Sequence, residues 1–251
     1  MTGLAGLKAI VTGGAEGIGK AVAREFIERG AQVAVLDRAM ASGDPAVLAI
    51  VADVADRAAV ESGVARAAAT MGGLDILVNN AGIGAIGTVE DHDDDEWRRV
   101  LDVNVVGIAR VSAAALPYLR QSRAAAIVNV TSIAALNGLP RRALYSASKG
   151  AVLALTYAMA TDHVAEGVRV NCVSPGTVQT AWVERMLAEA DDPEAELKAL
   201  QARQATGRLV TPQEVAHAIA YLASPEAGST TGTMLEVDGG VSHLRTRPRP
   251  S

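Results

Sequence analysis

The segment Lys8 to Gly30, KAIVTGGAEGIGKAVAREFIERG, decides how the chain folds. A short β-branched run is followed by a glycine-rich turn and then by a helical pattern of apolar residues. Glycines at 13, 17 and 19 allow the backbone to approach a pyrophosphate, whose charge the helix N-terminus would stabilise. Such a turn can also be purely structural. Its position after the first strand of an α/β chain nevertheless favours a dinucleotide-binding loop.

Strand-like and helical segments alternate from here to nearly the end of the chain, which predicts an α/β fold with one seven-stranded parallel sheet. The predicted strands are 8–12, 32–37, 48–54, 75–80, 125–132, 168–174 and 233–239. The predicted helices are 17–29, 57–71, 94–119, 144–165 and 212–223. The crossover 38–47 leaves room for about one helical turn. The helical insertion 180–207 resembles a mobile substrate lid, and 245–251 a flexible tail.

Composition bounds the possible functions. The 251 residues are 49% hydrophobic and 3% aromatic, which excludes a disordered chain and predicts an aliphatic core. A net charge of −5 makes nucleic acid an unfavourable partner. Apolar stretches are interrupted before the ~18 residues of a membrane span, and no secretory signal is recognisable, so we expect a cytoplasmic protein. The single Cys172 excludes an internal disulfide and is expected to be a buried, inert thiol.

Acidic residues near the glycine loop bear on the choice between NAD and NADP. Asp37 ends the second predicted strand 18 residues after Gly19, close to the spacing of about 20 for a carboxylate that holds the ribose hydroxyls of NAD. Glu16 adds a second negative charge, whereas Arg38 favours NADP. We therefore favour NAD, although a plain turn role for Asp37 stays open. Asp53, at the predicted end of the third strand, would lie near the adenine by the same geometry.

Tyr145 and Lys149 are four residues apart in a helical pattern, so they project from one face. An adjacent ammonium and a cationic nicotinamide would stabilise the phenolate, and we expect the pKa of Tyr145 to be lowered towards neutrality, where it can act as a base. Ser132 follows the fifth strand, where a doubly wound sheet places its ligand crevice. Taken alone, Tyr-x-x-x-Lys also occurs on ordinary helix surfaces.

These features stand in one order together with Asn79-Asn80-Ala81-Gly82, Asn104 and Pro175-Gly176, and from about residue 4 to Gly240 the chain resembles the short-chain dehydrogenase/reductase family. The resemblance implies a single Rossmann-like, doubly wound domain over 1–244 and a homotetramer with contacts through helices 94–119 and 144–165. It implies Tyr145 as general acid/base, Ser132 as the substrate-orienting hydroxyl, Lys149 as ribose ligand and Asn104 as anchor of a water relay. The predicted cofactor contacts are Gly13, Glu16, Gly17, Ile18, Gly19, Asp37, Asp53, Val54, Asn80, Ala81, Gly82, Tyr145, Lys149, Pro175, Gly176, Val178 and Thr180. A non-catalytic NAD(H)-binding sensor is the alternative of another class.

Arg142 lies beside the predicted catalytic tyrosine, and Arg185 and Arg203 lie on the predicted lid. Arginines recognise carboxylates bidentately. The stretch from Pro175 to Gly240 is similar to type 2 hydroxybutyrate dehydrogenases and 2-keto-3-deoxy-L-fuconate dehydrogenases, in which arginines matching Arg142, Arg185 and Arg203 hold the carboxylate. This resemblance implies a small hydroxy acid, first a 2-keto-3-deoxy sugar acid, with 3-hydroxybutyrate or a cyclic hydroxy acid as rivals. Trp182 would either form an apolar wall on the other side of the substrate or serve in helix packing. The histidines lack ligand spacing, so we expect no catalytic metal.

Overall fold

The computed structural model describes residues 3–39 and 45–246, and seven strands within them form one all-parallel sheet. The strands are β1 (Lys8–Thr12), β2 (Gln32–Asp37), β3 (Val47–Val51), β4 (Ile76–Asn79), β5 (Ala126–Val130), β6 (Arg169–Pro175) and β7 (Met234–Val237). Their order across the sheet is β3-β2-β1-β4-β5-β6-β7. The winding direction reverses between β1 and β4, which confirms the predicted doubly wound, Rossmann-like α/β fold and places the ligand crevice there.

Helices cover both faces of the sheet. They are α1 (Gly17–Glu28), α2 (Arg57–Met71), α3 (Asp94–Leu101), α4 (Gly107–Leu119), α5 (Ala143–His163), α6 (Ala181–Ala188), α7 (Pro193–Arg203) and α8 (Pro212–Ala223). Val11 of β1 packs with Phe26 and Ile219 of α1 and α8 on one face, whereas Ile10 packs with Val111 of α4 on the other. Successive strand side chains point to opposite faces, so a continuous aliphatic run serves both cores.

The predicted helix 94–119 is continuous but contains a π-helical turn, Asp102–Val106, between α3 and α4. By length and composition alone, Asp94–Leu119 is apolar enough to cross a membrane. Its apolar residues Val111, Ala115 and Leu119 are fully buried in the core beside α2 and the sheet. These three side chains therefore contribute to packing within the fold.

Several predicted boundaries differ from the structure. β3 ends at Val51 and β5 at Val130, so Asp53 and Ser132 lie two residues beyond their strands. The predicted helical turn in 38–47 falls partly on 40–44, which lie outside the described residues, and 38–39 and 45–46 form a bend and a turn. The predicted insertion carries α6 and α7, as its helical pattern indicates. Of the predicted tail, 247–251 lie outside the described residues.

Candidate active site

The glycine loop joins β1 to α1 at the reversal of the sheet. Gly13 has a φ of +66°, and a Cβ there would lie 2.8 Å from the main chain of Ala81. A Cβ on Gly19 would overlap the carbonyl oxygen of Gly13. Gly17 opens α1, and Ile18 packs on the core. Only glycine permits this close backbone path, which leaves the N-terminus of α1 open to an anion.

Two side chains fasten this loop to the end of β4. The buried Thr12 hydroxyl accepts hydrogen bonds from the backbone N–H groups of Asn80 and Ala81, both at 3.0 Å. The Asn80 amide in turn donates to the carbonyls of Thr12 and Gly13, at 3.0 and 2.9 Å. The predicted residues Asn80 and Ala81 thus tie the glycine loop to the end of β4.

Asp37 and Asp53 lie at the carboxyl edge of the sheet, as the sequence predicts. Asp37 accepts hydrogen bonds from the N–H groups of Ala15 at 3.0 Å and Ala39 at 3.2 Å, so its carboxylate faces the glycine loop. Asp53 is exposed, and its carboxylate accepts from the N–H of Ala55 at 2.8 Å. Val54 is buried beside it. A carboxylate beside an anion-binding loop fits a dinucleotide with free ribose hydroxyls.

Tyr145, Lys149 and Ser132 meet at the carboxyl end of β5. Lys149 Nζ lies 5.8 Å from the centroid of the Tyr145 ring and donates to the carbonyl of Val130 at 2.9 Å. The Ser132 hydroxyl lies close enough to the Tyr145 phenol to lower its pKa, which favours the phenolate. It also accepts from the N–H of Ala134 at 3.2 Å, which begins a 3₁₀ turn and fixes the position of the serine.

The protein alone does not supply the predicted lowering of the pKa of Tyr145. Burial raises that pKa, and the smaller opposing effects come from the Ser132 hydroxyl and the charge of Arg142. Burial also lowers the pKa of Lys149 to about 8, because the low-polarity surroundings penalise its ammonium. The expected activation of the phenol involves a cationic nicotinamide as well as Lys149, so it stays a prediction for the protein with that cofactor bound.

Asn104 lies within the π-helical turn and is fully buried. Its amide accepts from the N–H of Ile83 at 2.8 Å and donates to the carbonyl of Ile83 at 2.9 Å and to Ser148 Oγ at 3.0 Å. Gly82 lies above it, where a Cβ would be 3.2 Å from Asn104 Oδ1 and 3.6 Å from Lys149 Nζ. The turn thus ties the loop after β4 to the helix that carries Tyr145.

The segment after β6 closes the far side of the crevice. Pro175 ends that strand, and a Cβ on Gly176 would lie 2.7 Å from the side-chain oxygen of Gln204. Val178 is buried and bridges Val210. Thr180 caps α6, and its methyl group would lie 3.5 Å from a Cβ on Gly17. Of these predicted cofactor contacts, Thr180 therefore lies beside the glycine loop.

The structure gathers two of the three predicted arginines. Arg142 lies close enough to Arg203 and Tyr145 to interact with both electrostatically, and burial followed by the charge of Arg203 lowers its pKa. Arg185 instead points to the glycine loop, where its Nη2 lies 3.2 Å from Glu16 Oε1. Arg142 therefore lies near both Arg203 and Tyr145, whereas Arg185 pairs with a predicted cofactor contact, and carboxylate binding by the three arginines stays a prediction.

Known proteins resemble this chain both in sequence and in structure. A family model described as enoyl-(acyl carrier protein) reductase matches residues 13–242. The chain is 40% identical to 2-(S)-hydroxypropyl-CoM dehydrogenase 3 of Xanthobacter autotrophicus and 40% identical to cis-4-hydroxycyclohexanecarboxylate dehydrogenase of Sinomonas cyclohexanicum, in each case over 93% of this chain and 96% of the relative. The ligand-free aldohexose dehydrogenase of Thermoplasma acidophilum superposes with a TM-score of 0.93 at 35% identity, over 100% of this chain and 99% of that one. The chain belongs to the short-chain dehydrogenase/reductase family.

Membership of this family makes the chain an oxidoreductase of CH–OH groups and implies a nicotinamide cofactor. The residues present fit such a cofactor: the glycine path, the Asp37 carboxylate and the buried Lys149 lie along one crevice. Sequence reasoning missed two contributors, Thr12 and Ser148. Both stand beside predicted residues, in Thr-Gly-Gly and Ser-Ala-Ser-Lys, and a small hydroxyl next to a site residue was the available signal.

Two further predictions, that Cys172 is inert and that no catalytic metal is bound, concern groups outside the crevice. Burial raises the pKa of the Cys172 thiol to about 11, which keeps it protonated and unreactive, as expected. No cluster of metal-ligating side chains occurs among residues 3–39 and 45–246. His92 instead pairs with Glu96 at 2.9 Å in the first turn of α3.

Proposed function

We propose that the protein is an NAD-dependent dehydrogenase of a small hydroxy acid, with hydride transfer at a secondary alcohol or ketone. The observation that carries the proposal is the set of groups around Tyr145: the Ser132 hydroxyl and the Arg142 charge both act to lower the pKa of its phenol, and Lys149 Nζ lies 5.8 Å from its ring centroid. The reacting oxygen and a carboxylate of one small molecule can contact these groups together.

The side chains divide the chemistry by position. Ser132 orients the substrate oxygen, and the Tyr145 oxygen takes the hydroxyl proton of an alcohol or returns a proton to a ketone. Because burial raises the pKa of Tyr145, its phenol is protonated at neutral pH and is ready to donate in the reductive direction. Lys149, with one N–H bound to Val130, has further donors for a ribose hydroxyl. A bound nicotinamide supplies the hydride acceptor or donor and a positive charge in its oxidised form.

The arginines favour an anionic substrate. Two guanidinium groups held near one another repel, and the charge of Arg203 contributes to the lowered pKa of Arg142. A bound carboxylate would relieve this repulsion and could accept bidentate hydrogen bonds. The negative charge of Glu196 raises the pKa of Arg142, but this effect is smaller than the opposite effect of Arg203. Arg185 would join the clamp only by leaving Glu16.

NAD is favoured over NADP by the position of Asp37. Its carboxylate faces the glycine loop, so a 2′-phosphate beside it would meet a like charge. Arg38 is exposed next to it and remains the argument for NADP.

The substrate proposal starts from 2-keto-3-deoxy sugar acids such as 2-keto-3-deoxy-L-fuconate, with 3-hydroxybutyrate and cyclic hydroxy acids as rivals. The relative named for cis-4-hydroxycyclohexanecarboxylate supports the cyclic rival. The alternative of another class is a protein that binds NAD(H) without turnover. The assembled Ser132, Tyr145 and Lys149 favour the enzyme over this alternative.

The test is a matched screen with NAD. Each hydroxy acid is paired with a neutral alcohol of similar size, such as cis-4-hydroxycyclohexanecarboxylate with cyclohexanol, and NADH formation is measured. We expect turnover of at least one acid, and Arg142→Ala and Arg203→Ala should raise its KM at least tenfold, about 1.4 kcal/mol, without affecting neutral alcohols. Preferred turnover of neutral alcohols, unchanged by both substitutions, would refute the carboxylate proposal. Binding of NADH without any turnover would favour the sensor.

We further propose a cytoplasmic homotetramer with contacts through α4 and α5. Tyr157 of α5 and Val106 before α4 are exposed apolar side chains on these helices. Light scattering that gives the mass of one chain at working concentration would contradict the assembly.

A further inference from the structure

Helix α6 lies across the mouth of the crevice and contacts both of its walls. Thr180, its N-cap, lies beside Gly17 of the glycine loop. Trp182, in its first turn, packs on Gly84 in the loop after β4, so tightly that a Cβ there would lie 2.8 Å from the indole ring. The helix therefore bridges the two loops between which a dinucleotide would lie.

An ion pair adds a third contact on the glycine-loop side. Arg185 Nη2 lies 3.2 Å from Glu16 Oε1, although the two residues are 169 positions apart in the chain. Glu16 is the N-cap of α1, yet its side chain makes no capping hydrogen bond to that helix. Its carboxylate instead pairs with Arg185 of the lid.

Trp182, Arg185 and Met186 occupy one face of α6, because they are three and four residues apart. Met186 contacts the Arg142 guanidinium, with 3.6 Å between Sδ and Nη2. One face of the helix thus contacts the loop after β4, the glycine loop and the start of α5. Separation of α6 from the glycine loop must break the ion pair.

We propose that the Arg185–Glu16 ion pair is a strap that holds α6 against the glycine loop and slows the release of a bound dinucleotide. The inference rests on the proposed binding of NAD. Both side chains are more than half exposed, at 58% and 64%, so the pair is solvent-screened. Exposed ion pairs of this kind change an equilibrium or a rate by at most about fivefold.

Two other roles of Glu16 and Arg185 predict different changes in the rate of dinucleotide release. If Glu16 acted only through its charge on the pyrophosphate, its neutralisation would remove a repulsion and slow release. If Arg185 bound a phosphate directly, its neutralisation would speed release, and the effects of the two substitutions would be independent. A strap requires that both substitutions speed release and that the second adds nothing to the first.

The experiment measures NADH dissociation by stopped-flow fluorescence for the wild type, Glu16→Gln, Arg185→Gln and the double variant. We expect each single variant to release NADH about two- to fivefold faster, and the double variant to match them. Glu194→Gln, which breaks the exposed Glu194–Lys198 pair on α7 of the same lid, is the control and should match the wild type. Unchanged or slower release from Glu16→Gln, or additive effects in the double variant, would overturn the strap. A wild type that does not bind NADH would instead contradict the proposed function.

Discussion

Lys149 Nζ lies 5.8 Å from the centroid of the Tyr145 ring and donates a hydrogen bond to the carbonyl of Val130 at 2.9 Å. Burial acts on both groups in the direction of neutrality: it raises the pKa of the phenol and lowers that of the ammonium to about 8. In the protein without a cofactor, burial therefore favours the neutral form of both side chains. Positive charge that arrives with an oxidised cofactor would shift the phenol towards its anion.

The buried ammonium makes stability depend on pH. The pKa of Lys149 is about 8 in the folded protein and 10.5 as a free side chain, so between these values the folded protein binds fewer protons than the unfolded chain. The contribution of Lys149 to the free energy of unfolding therefore rises with pH across this window, and below about pH 8 its full penalty, about 3 kcal/mol, is present.

Lys149→Met removes this penalty, so its stability relative to the wild type should fall by about 3 kcal/mol as the pH rises from 8 to 10.5. Urea denaturation at a series of pH values checks this. Lys20→Met, an exposed substitution on α1, is the control and should show no such trend. A pH-independent difference for Lys149→Met would mean that the ammonium is not desolvated in the fold.

Gly19→Ala should abolish NADH binding, because the added Cβ overlaps the carbonyl oxygen of Gly13 and forces the loop apart. Isothermal titration with NADH measures the effect. Gly138→Ala adds a methyl group with no heavy atom within 4 Å and should bind NADH as the wild type does. Wild-type affinity in Gly19→Ala would show that the glycine loop is only a structural turn.

Asp37→Asn should increase the preference for NADP relative to NAD about tenfold, which corresponds to 1.4 kcal/mol. The substitution removes the negative charge but keeps an oxygen that can accept from the N–H of Ala15. The ratio of kcat/KM for the two cofactors is the measurement, and Asp53→Asn is the comparison at an exposed position further along the sheet edge. An unchanged ratio would assign Asp37 to the turn alone.

Ser148→Ala should destabilise the fold by about 1–3 kcal/mol, because the Asn104 amide then loses a buried acceptor. The neighbouring Ser146→Ala, on the same helix turn, is the matched control and should change the free energy of unfolding by less than about 0.5 kcal/mol. Equal effects of both substitutions in thermal denaturation would show that Asn104 does not depend on this bond.

Local sequence patterns predicted the helices that begin at a capping residue. The bounds of α2 and α8 agree with the sequence because Asp56 and Thr211 cap their first turns with side-chain hydrogen bonds. The spacing of Tyr145 and Lys149 likewise predicted their common face. These signals act over one or two helical turns, which a sequence displays directly.

The unpredicted features depend on contacts between distant parts of the chain. The π-helical turn at Asn104 leaves the apolar pattern of 94–119 unchanged, so it is not visible in the sequence. The raised pKa of Tyr145 results from burial by tertiary packing. The partner of Arg185 is Glu16, and no local pattern links a lid residue to the first loop.

The most direct test of the account compares Tyr145→Phe with the wild type on the best substrate from the NAD-linked screen. The substitution removes only the hydroxyl that is proposed to carry the proton. We predict that turnover is lost while the affinity for NADH is retained. Full turnover by Tyr145→Phe would contradict the acid/base role of Tyr145 and the mechanism built on it.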